Sequence, residues 1–263
     1  MTFAWYGFAL EHPEDWAPVT LTGARKEGYV RIASPGRQSI QIRWKASAHE
    51  VDLSSVLSNY LEKLSRDAKA AKDDFTSDIE ETSDRIRYQY SSATCGRGAI
   101  FRSSKSGRVF FIEAISSKAN SLLPLINKVL DTFTMDTEPE SWALFGLHLR
   151  LPVGLEVDKK VLQAGRTQID LASKKTKIEA QRWAFAEQLT AKHGLEPWAR
   201  SLLAMPNAVA ETSPLGIRFE QPGTFLRPPV AALVTVQPER NQISTVKVTT
   251  REANWGPNWN WFA

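Results

Sequence analysis

Several features that usually announce a function are scarce or missing in this chain of 263 residues. Its one cysteine, Cys95, excludes an internal disulfide and a multi-cysteine metal site. Its four histidines, His12, His49, His148 and His193, show no metal-ligand spacing. The sequence also lacks a phosphate loop, a nucleophile elbow, a dinucleotide fingerprint and a zinc-protease helix. We therefore expect no catalytic residues, no metal site and no cofactor.

Long apolar runs are missing too. Nowhere do about 18 consecutive apolar residues occur, and the start lacks the basic and apolar segments of a secretory signal. We expect no membrane span and a cytoplasmic location. The formal net charge of +4 is mild, so a nucleic-acid partner is not expected. A basic group in the second half is interpreted first as a solubilising surface and second as an attractor of phosphates or of an acidic protein face. Its members are Lys159, Lys160, Lys174, Lys175 and Lys177.

A diverged internal repeat is the most informative feature that is present. Residues 5–44 recur in diverged form at 144–183, with seven identities in 40 positions at a constant offset of 139. Unrelated segments would share roughly two or three, so the repeat indicates duplication of one structural unit. The identical pairs are Gly7 and Gly146, Leu10 and Leu149, Pro13 and Pro152, Ala33 and Ala172, Ser34 and Ser173, Arg43 and Arg182, and Trp44 and Trp183.

Periodicity predicts strands and helices in alternating blocks. The opening segments of both repeats alternate apolar and polar residues, which is typical of a sheet covered on one side. Helical spacing predicts a helix from Leu53, capped by Asp52, and a second helix over 122–133. The charged segment 67–78 is expected to end the first helix and form a solvated loop. A helical stretch near 184–205 is expected to divide at Gly194 and Pro197.

The fold class predicted from these elements is α+β, with two tandem units. Each unit is expected to be an antiparallel sheet with helices packed on one face. A short polar segment with Pro139 places the boundary so that residues 1–138 form the first unit and 139–263 the second. In the second unit the chain ends too soon for the closing helix, and a tryptophan-rich tail stands in its place.

The opening residues from Gly7 to Trp16 carry a family resemblance: an alternating strand, Pro13 and then a tryptophan. This pattern, with the order of elements over residues 5–133, resembles the PsbP-like superfamily, which includes the DcrB and LpqN groups. The second half is similar only in part, because Leu155 replaces the tryptophan and the closing helix is missing. The resemblance implies helices on an antiparallel sheet and a role in binding, as an adaptor, assembly subunit or chaperone.

The aromatic tail allows two interpretations. Three tryptophans and a phenylalanine within eight residues would invite aggregation if they were freely exposed. The first interpretation is structural, with the tail folded back over the sheet face that lacks a helix. The second is functional, with the tail anchoring a protein partner or a second copy of the chain. The candidate partner-binding residues are Trp255, Trp259, Trp261 and Phe262.

We expect the protein to be a non-catalytic binding or assembly module whose partner is another protein, with a homo-oligomer as one possible arrangement. One alternative is a chaperone for an apolar helix of a secreted effector. The other is a carrier or an enzyme for a small apolar molecule. Its pocket would lie between sheet and helix, with Trp44, Tyr60 and Trp183 as candidate lining residues.

Overall fold

The protein is built mostly of antiparallel sheet. The computed structural model describes residues 1–117, 122–135, 138–252 and 259. Strands account for 50% and helices for 19%, which defines a mixed α+β fold. The chain divides into two compact units, Met1–Thr137 and Glu138–Ala263, one residue from the predicted boundary. Within the described part of the chain, no helix combines the length and apolarity that crossing a bilayer requires.

Unit 1 contains a seven-stranded sheet in the order β3-β4-β5-β9-β8-β7-β6, and β1 and β10 pair on either side of β2. Its strands are β1 Thr2–Trp5, β2 Phe8–Glu11, β3 Ala17–Gly23, β4 Glu27–Ala33, β5 Ser39–Ala46, β6 Thr76–Glu81, β7 Ile86–Ser91, β8 Cys95–Arg102, β9 Arg108–Ser116 and β10 Thr134–Met135. Its helices are α1 Leu53–Ala71 and α2 Leu122–Asp131.

Helix α1 forms where the sequence predicts it. The Asp52 carboxylate accepts a hydrogen bond from the Ser55 backbone N–H at 3.0 Å, which caps the first turn. Leu57 and Leu61 lie one turn apart on the buried side. The helix ends at Lys72, which adopts the left-handed conformation with a φ of 61°. The charged residues after position 66 therefore belong to the helix up to Ala71, not to a loop.

The two helices of unit 1 pack on opposite faces of the seven-stranded sheet. Helix α1 packs against a face that includes Ile100 and Phe111. Their strand neighbours Phe101 and Phe110 contact Phe133, which follows α2. Because successive residues of a strand point to opposite faces, α2 covers the side of the sheet that α1 does not. The prediction that the helices share one face is wrong for unit 1.

Unit 2 contains a hairpin, β11-β12, and a seven-stranded sheet in the order β13-β14-β15-β19-β18-β17-β16. Its strands are β11 Glu140–Leu144, β12 Leu147–Leu151, β13 Glu156–Gln163, β14 Arg166–Ala172, β15 Thr176–Ala184, β16 Val209–Ser213, β17 Gly216–Gln221, β18 Val230–Gln237 and β19 Gln242–Thr250. Its helices are α3 Ala186–Thr190 and α4 Leu195–Leu203.

Helices α3 and α4 of unit 2 pack on the same face of their sheet. Ala186 from α3 and Leu203 from α4 join one buried cluster with Phe219 and Ile243. Gly194 separates the two helices, as the sequence predicts, with a φ of 79°, whereas Pro197 lies in the first turn of α4 and does not divide it. An apolar core therefore fills the space between these two helices and the sheet of unit 2.

The two seven-stranded sheets have the same strand order relative to the chain: three strands in sequence, then the last strand, then three strands in reverse. The opening hairpins also match. Tyr6 and Gly7 turn the first hairpin with φ values of 49° and 80°, and Phe145 and Gly146 turn the second with 50° and 79°. Both turns need positive φ at two positions, which glycine allows at the second.

Strand register corrects one part of the sequence alignment. Ala33 on β4 and Ala172 on β14 are 139 apart, but their cross-strand partners, Ser39 and Lys177, are 138 apart. The turn between β14 and β15 is one residue shorter than the turn between β4 and β5. Trp44 and Trp183 are therefore not at matching positions in the two sheets. Two of the seven identities, at 43–44 and 182–183, are therefore not structurally equivalent, because a slip of one residue reverses the face of a strand.

Candidate functional site

A cavity of about 710 Å³ opens in unit 1 beside β4, β5 and β9 and the start of α1. This volume lies within the range of about 300–1,000 Å³ that is usual for small-molecule sites. Aromatic and aliphatic groups form much of its wall. The lining includes Tyr29, Trp44, Val51, Val56, Ile100, Val109 and Phe111, together with the charged residues Glu27, Arg43 and Lys45.

Trp44 borders the cavity, but its indole points to the other face of the sheet, where its ring centroid lies 5.3 Å from that of Phe8. Its indole N–H donates to the Ala24 carbonyl oxygen at 2.9 Å. The ring lies across Gly28, where an added Cβ would stand 2.2 Å from a ring carbon. A side chain at Gly28 would therefore displace the indole. This explains why the residue of β4 that pairs with Trp44 is a glycine.

Arg43 supplies a positive charge at the cavity. Its guanidinium carbon lies 5.6 Å from the ring centroid of Tyr29 and 5.7 Å from those of Tyr60 and Phe111. It donates a hydrogen bond to Gln41 Oε1 at 3.1 Å and forms no salt bridge with any carboxylate that the structure describes. The aromatic rings favour a cation at this position, and the charge stays exposed to an incoming anion.

Glu113 is a buried carboxylate beneath α1, with 1% of its surface exposed. The Tyr60 hydroxyl donates to it at 3.0 Å and the Tyr88 hydroxyl at 2.8 Å. Burial raises the pKa of Glu113, although both tyrosine hydrogen bonds and the Arg43 charge act in the opposite direction. Burial, followed by the Glu113 charge, also raises the pKa values of Tyr60 and Tyr88, so both hydroxyls remain donors.

The corresponding face of unit 2 is filled differently. Trp183 packs edge-on against Trp198 of α4, with ring centroids 6.1 Å apart. The Arg166 guanidinium stacks over the Trp183 ring at 4.5 Å and bonds the Gln181 side chain. Gln168 and Asp170, which follow Arg166 along β14, are also buried and continue this hydrogen-bonded group of polar side chains. The three lining residues predicted from sequence are thus not one group: Trp44 lines the cavity, Tyr60 lies beside Arg43, and Trp183 belongs to the core of unit 2.

The tail is described at one position only, Trp259, which is 7% exposed. The Arg218 guanidinium lies 5.6 Å from its ring centroid. Register places Arg218 at the position that Arg87 holds in unit 1, where Arg87 donates to Asn127 of α2 at 3.2 Å. At this residue the tail therefore lies on the sheet face that carries the closing helix in unit 1. The other predicted anchors, Trp255, Trp261 and Phe262, lie outside the described residues.

The histidines do not join the cavity. Burial lowers the pKa of His12, whose Nδ1 lies 2.8 Å from the Pro13 carbonyl oxygen. Burial and the Arg240 charge lower the pKa of His148. In the described ranges, no group of three or more His, Cys, Asp or Glu side chains is placed to hold a metal ion.

Sequence reasoning missed Arg43, Glu113 and Phe111 as parts of one site. A signal was available, because Glu113 is the single acidic residue in β9 and interrupts the otherwise apolar run from Val109 to Ile115. Such a residue needs partners in the fold. The pairing of β5 with β9, which brings Arg43 opposite Phe111, could not be read from the chain. No protein-family model and no curated protein matches this chain.

Proposed function

We propose that the protein is a non-catalytic binding module whose unit 1 takes a small amphipathic anion in the cavity beside β5. The observation that carries this proposal is the cavity of about 710 Å³, with apolar walls and the unpaired Arg43 charge in its lining. The apolar part of the ligand would lie against Val56 and Phe111. Its anionic group would meet the guanidinium.

The charge balance of the lining supports an anion rather than a cation. Glu27 and Lys45 form an ion pair at 4.0 Å, which leaves Arg43 as the excess charge among the lining residues. Glu113 lies deeper, where it accepts hydrogen bonds from Tyr60 and Tyr88. Hydrogen bonds to a charged group are the stronger kind, so a carboxylate of the ligand is best matched by the guanidinium fork.

The experiment is a calorimetric titration of the protein with dodecanoate and with the uncharged dodecan-1-ol. Val56→Trp places an indole in the cavity, and we expect it to weaken binding of both compounds at least about tenfold. Val19→Trp is the matched control, because Val19 is also exposed in unit 1 but does not line the cavity. Equal affinities of the two variants would contradict the cavity as the binding site.

A second pair of variants tests the anion. Arg43→Gln should weaken dodecanoate binding about tenfold and leave dodecan-1-ol unchanged, since a hydrogen bond to a charged group contributes about 1.5–3 kcal/mol. Arg31→Gln removes an exposed arginine from the adjacent strand and serves as the control. If both compounds bind the wild type equally and neither variant matters, the ligand is not an anion, and the protein-partner alternative is favoured.

We further propose that the two units are diverged copies of one module of the PsbP-like kind. The shared strand order and the matching opening turns support this proposal. Under this proposal unit 2 keeps the architecture with a filled helix-covered face, and unit 1 keeps a cavity. A direct test is to express residues 1–137 and 138–263 separately, because two independent modules should each fold cooperatively. A broad, uncooperative melt of both pieces would oppose it.

A further inference from the structure

One loop of unit 2 carries two highly exposed apolar side chains at its tip. Phe225 and Leu226 lie between β17 and β18, and their exposed fractions are 103% and 83%. Isolated exposed leucines are common on protein surfaces. An adjacent phenylalanine and leucine at the tip of a loop are different, because together they present a projecting apolar surface that water solvates poorly.

The tip is a defined turn. The Thr224 N–H donates to the Arg227 carbonyl oxygen at 2.8 Å, and the Arg227 N–H donates to the Thr224 hydroxyl at 3.1 Å. Phe225 and Leu226 are the two central residues between these hydrogen bonds. Prolines at 222, 228 and 229 restrict φ on both sides of the turn. Less conformational entropy is therefore lost when the tip is immobilised against a surface.

Basic residues surround the tip at the same end of the unit 2 sheet. The Thr250 N–H donates to the Pro229 carbonyl oxygen at 3.4 Å, and the Arg251 N–H donates to the Lys175 carbonyl oxygen at 3.0 Å. These hydrogen bonds place the β14–β15 turn, the end of β19 and the β17–β18 loop together at one end of the sheet. The exposed cations there are Lys174, Lys175, Arg227 and Arg251, and the nearby acids are Glu156, Glu220 and Glu252, which leaves one positive charge in excess. Lys177 is paired with Glu179 at 3.0 Å.

We propose that this end of unit 2 docks on an anionic lipid bilayer, with Phe225 and Leu226 inserted between the headgroups. Three strand spacings separate the β14–β15 turn from the β17–β18 loop, so the cations spread over about 14 Å. Charges spread in this way suit an extended negative surface, and juxtaposed lysine and arginine side chains add to the attraction of an anionic leaflet. A projecting tip of this kind can insert into a lipid bilayer, because the headgroups can move apart around it.

The test is co-sedimentation of the full chain with vesicles of phosphatidylcholine alone and of phosphatidylcholine with phosphatidylglycerol. We expect binding to the anionic vesicles only. The double variant Phe225→Ser with Leu226→Ser should lose at least about tenfold in affinity. The matched control is Phe185→Ser, which removes another exposed apolar side chain of unit 2 at the opposite end of the sheet. Both variants should keep the wild-type melting temperature, because the altered side chains are exposed.

Charge is tested by Lys175→Gln, which should weaken binding to the anionic vesicles about fivefold at low salt and less at high salt. Failure of the wild-type chain to sediment with anionic vesicles overturns the proposal, as does equal sedimentation of the Phe225 and Leu226 double variant. Equal binding to neutral vesicles would also overturn it, because the cations would then have no role. None of these outcomes depends on the cavity of unit 1.

Discussion

The two units share one strand order but differ in what they place beneath their helices. In unit 1, α1 lies over Glu113, the tyrosines that bond it and an adjacent cavity. In unit 2, α3 and α4 lie over a packed apolar cluster that contains Phe219 and Ile243. A sheet topology can therefore be kept while the chemistry of its covered face changes, and the fold alone does not define a ligand site.

One pair of matched positions shows how far this change goes. Glu113 on β9 and Lys247 on β19 lie at the same register position in their sheets. Glu113 holds α1 through the Tyr60 hydroxyl. Lys247 instead donates to the Leu203 carbonyl oxygen, at the last residue of α4, at 2.7 Å. Opposite charges thus perform the same structural task, since an ammonium group suits the negative end of a helix.

The largest effect that separates the units is expected from Ile42→Ala. Ile42 is fully buried on β5, and Ala180 occupies the matching position on β15. Removing three carbon atoms from the packed face of unit 1 should lower the free energy of unfolding by about 2–5 kcal/mol. Urea denaturation followed by circular dichroism measures it. Val19→Ala, at an exposed site, is the control; a cost of Ile42→Ala equal to that of this control would refute the packing described.

Burial of Glu113 predicts that the stability of the protein depends on pH. Because the folded-state pKa of Glu113 is raised above its ordinary value of 4.5, its stabilising contribution is fully present below that value. It is lost as the pH rises through the raised pKa. Glu113→Gln removes this titration.

The measurement for Glu113 is the difference between the wild-type and Glu113→Gln unfolding free energies, followed from pH 4 upward. The wild type should lose stability relative to the variant, with a slope of at most about 1.4 kcal/mol per pH unit. Parallel pH profiles of the two proteins would show that the carboxyl is not desolvated in the folded state. Glu14→Gln, at an exposed position, is the matched control.

A smaller effect is expected from Tyr60→Phe, which removes the hydroxyl that joins α1 to Glu113. The loss should be about 1–2 kcal/mol in unfolding free energy, because the acceptor is a carboxyl group and keeps its bond to Tyr88. Chemical denaturation is again the measurement. The double variant Tyr60→Phe with Glu113→Gln should cost less than the sum of the two single changes; simple additivity would argue against direct coupling.

The smallest effect belongs to Lys247→Met in unit 2. It removes the cation that binds the Leu203 carbonyl oxygen and keeps the aliphatic length of the side chain. We expect a loss of about 0.5–1 kcal/mol, typical of a charge at a helix terminus. Lys247→Arg is the matched control and should retain most of the stability. If methionine at this position is as stable as lysine, the parallel with Glu113 as a helix anchor fails.

Sequence predicted best the elements whose local signals agree with their environment. Helix α1 combines a capping Asp52 with a regular apolar stripe, and the opening hairpins combine alternation with Gly7 and Gly146 at positive φ. These features are set by neighbours along the chain. The cavity was anticipated only as a pocket between sheet and helix, with Trp44 as the one predicted residue that lines it.

The features that were not predicted depend on contacts between residues far apart in the sequence, which local patterns do not show. Strand β6 is exposed at every residue and rich in acid, so this edge strand shows no alternation of apolar and polar residues. The loop predicted over 67–78 includes its first three residues, 76–78. The equivalence of Trp44 and Trp183 failed because one residue fewer in a turn shifts the register of β15. Helix α2 joins the opposite face of the sheet because Phe8, Phe110 and Phe133 form a separate aromatic cluster there.

Hydrogen–deuterium exchange in the presence of dodecanoate tests most directly whether unit 1 holds the ligand site and unit 2 does not. We expect slower exchange in peptides that cover β4, β5, β9 and the start of α1, which line the cavity. Peptides that cover the matching strands β14, β15 and β19 should be unchanged. Equal protection of both sets, or protection of neither at saturating ligand, would contradict the assignment of binding to the cavity of unit 1.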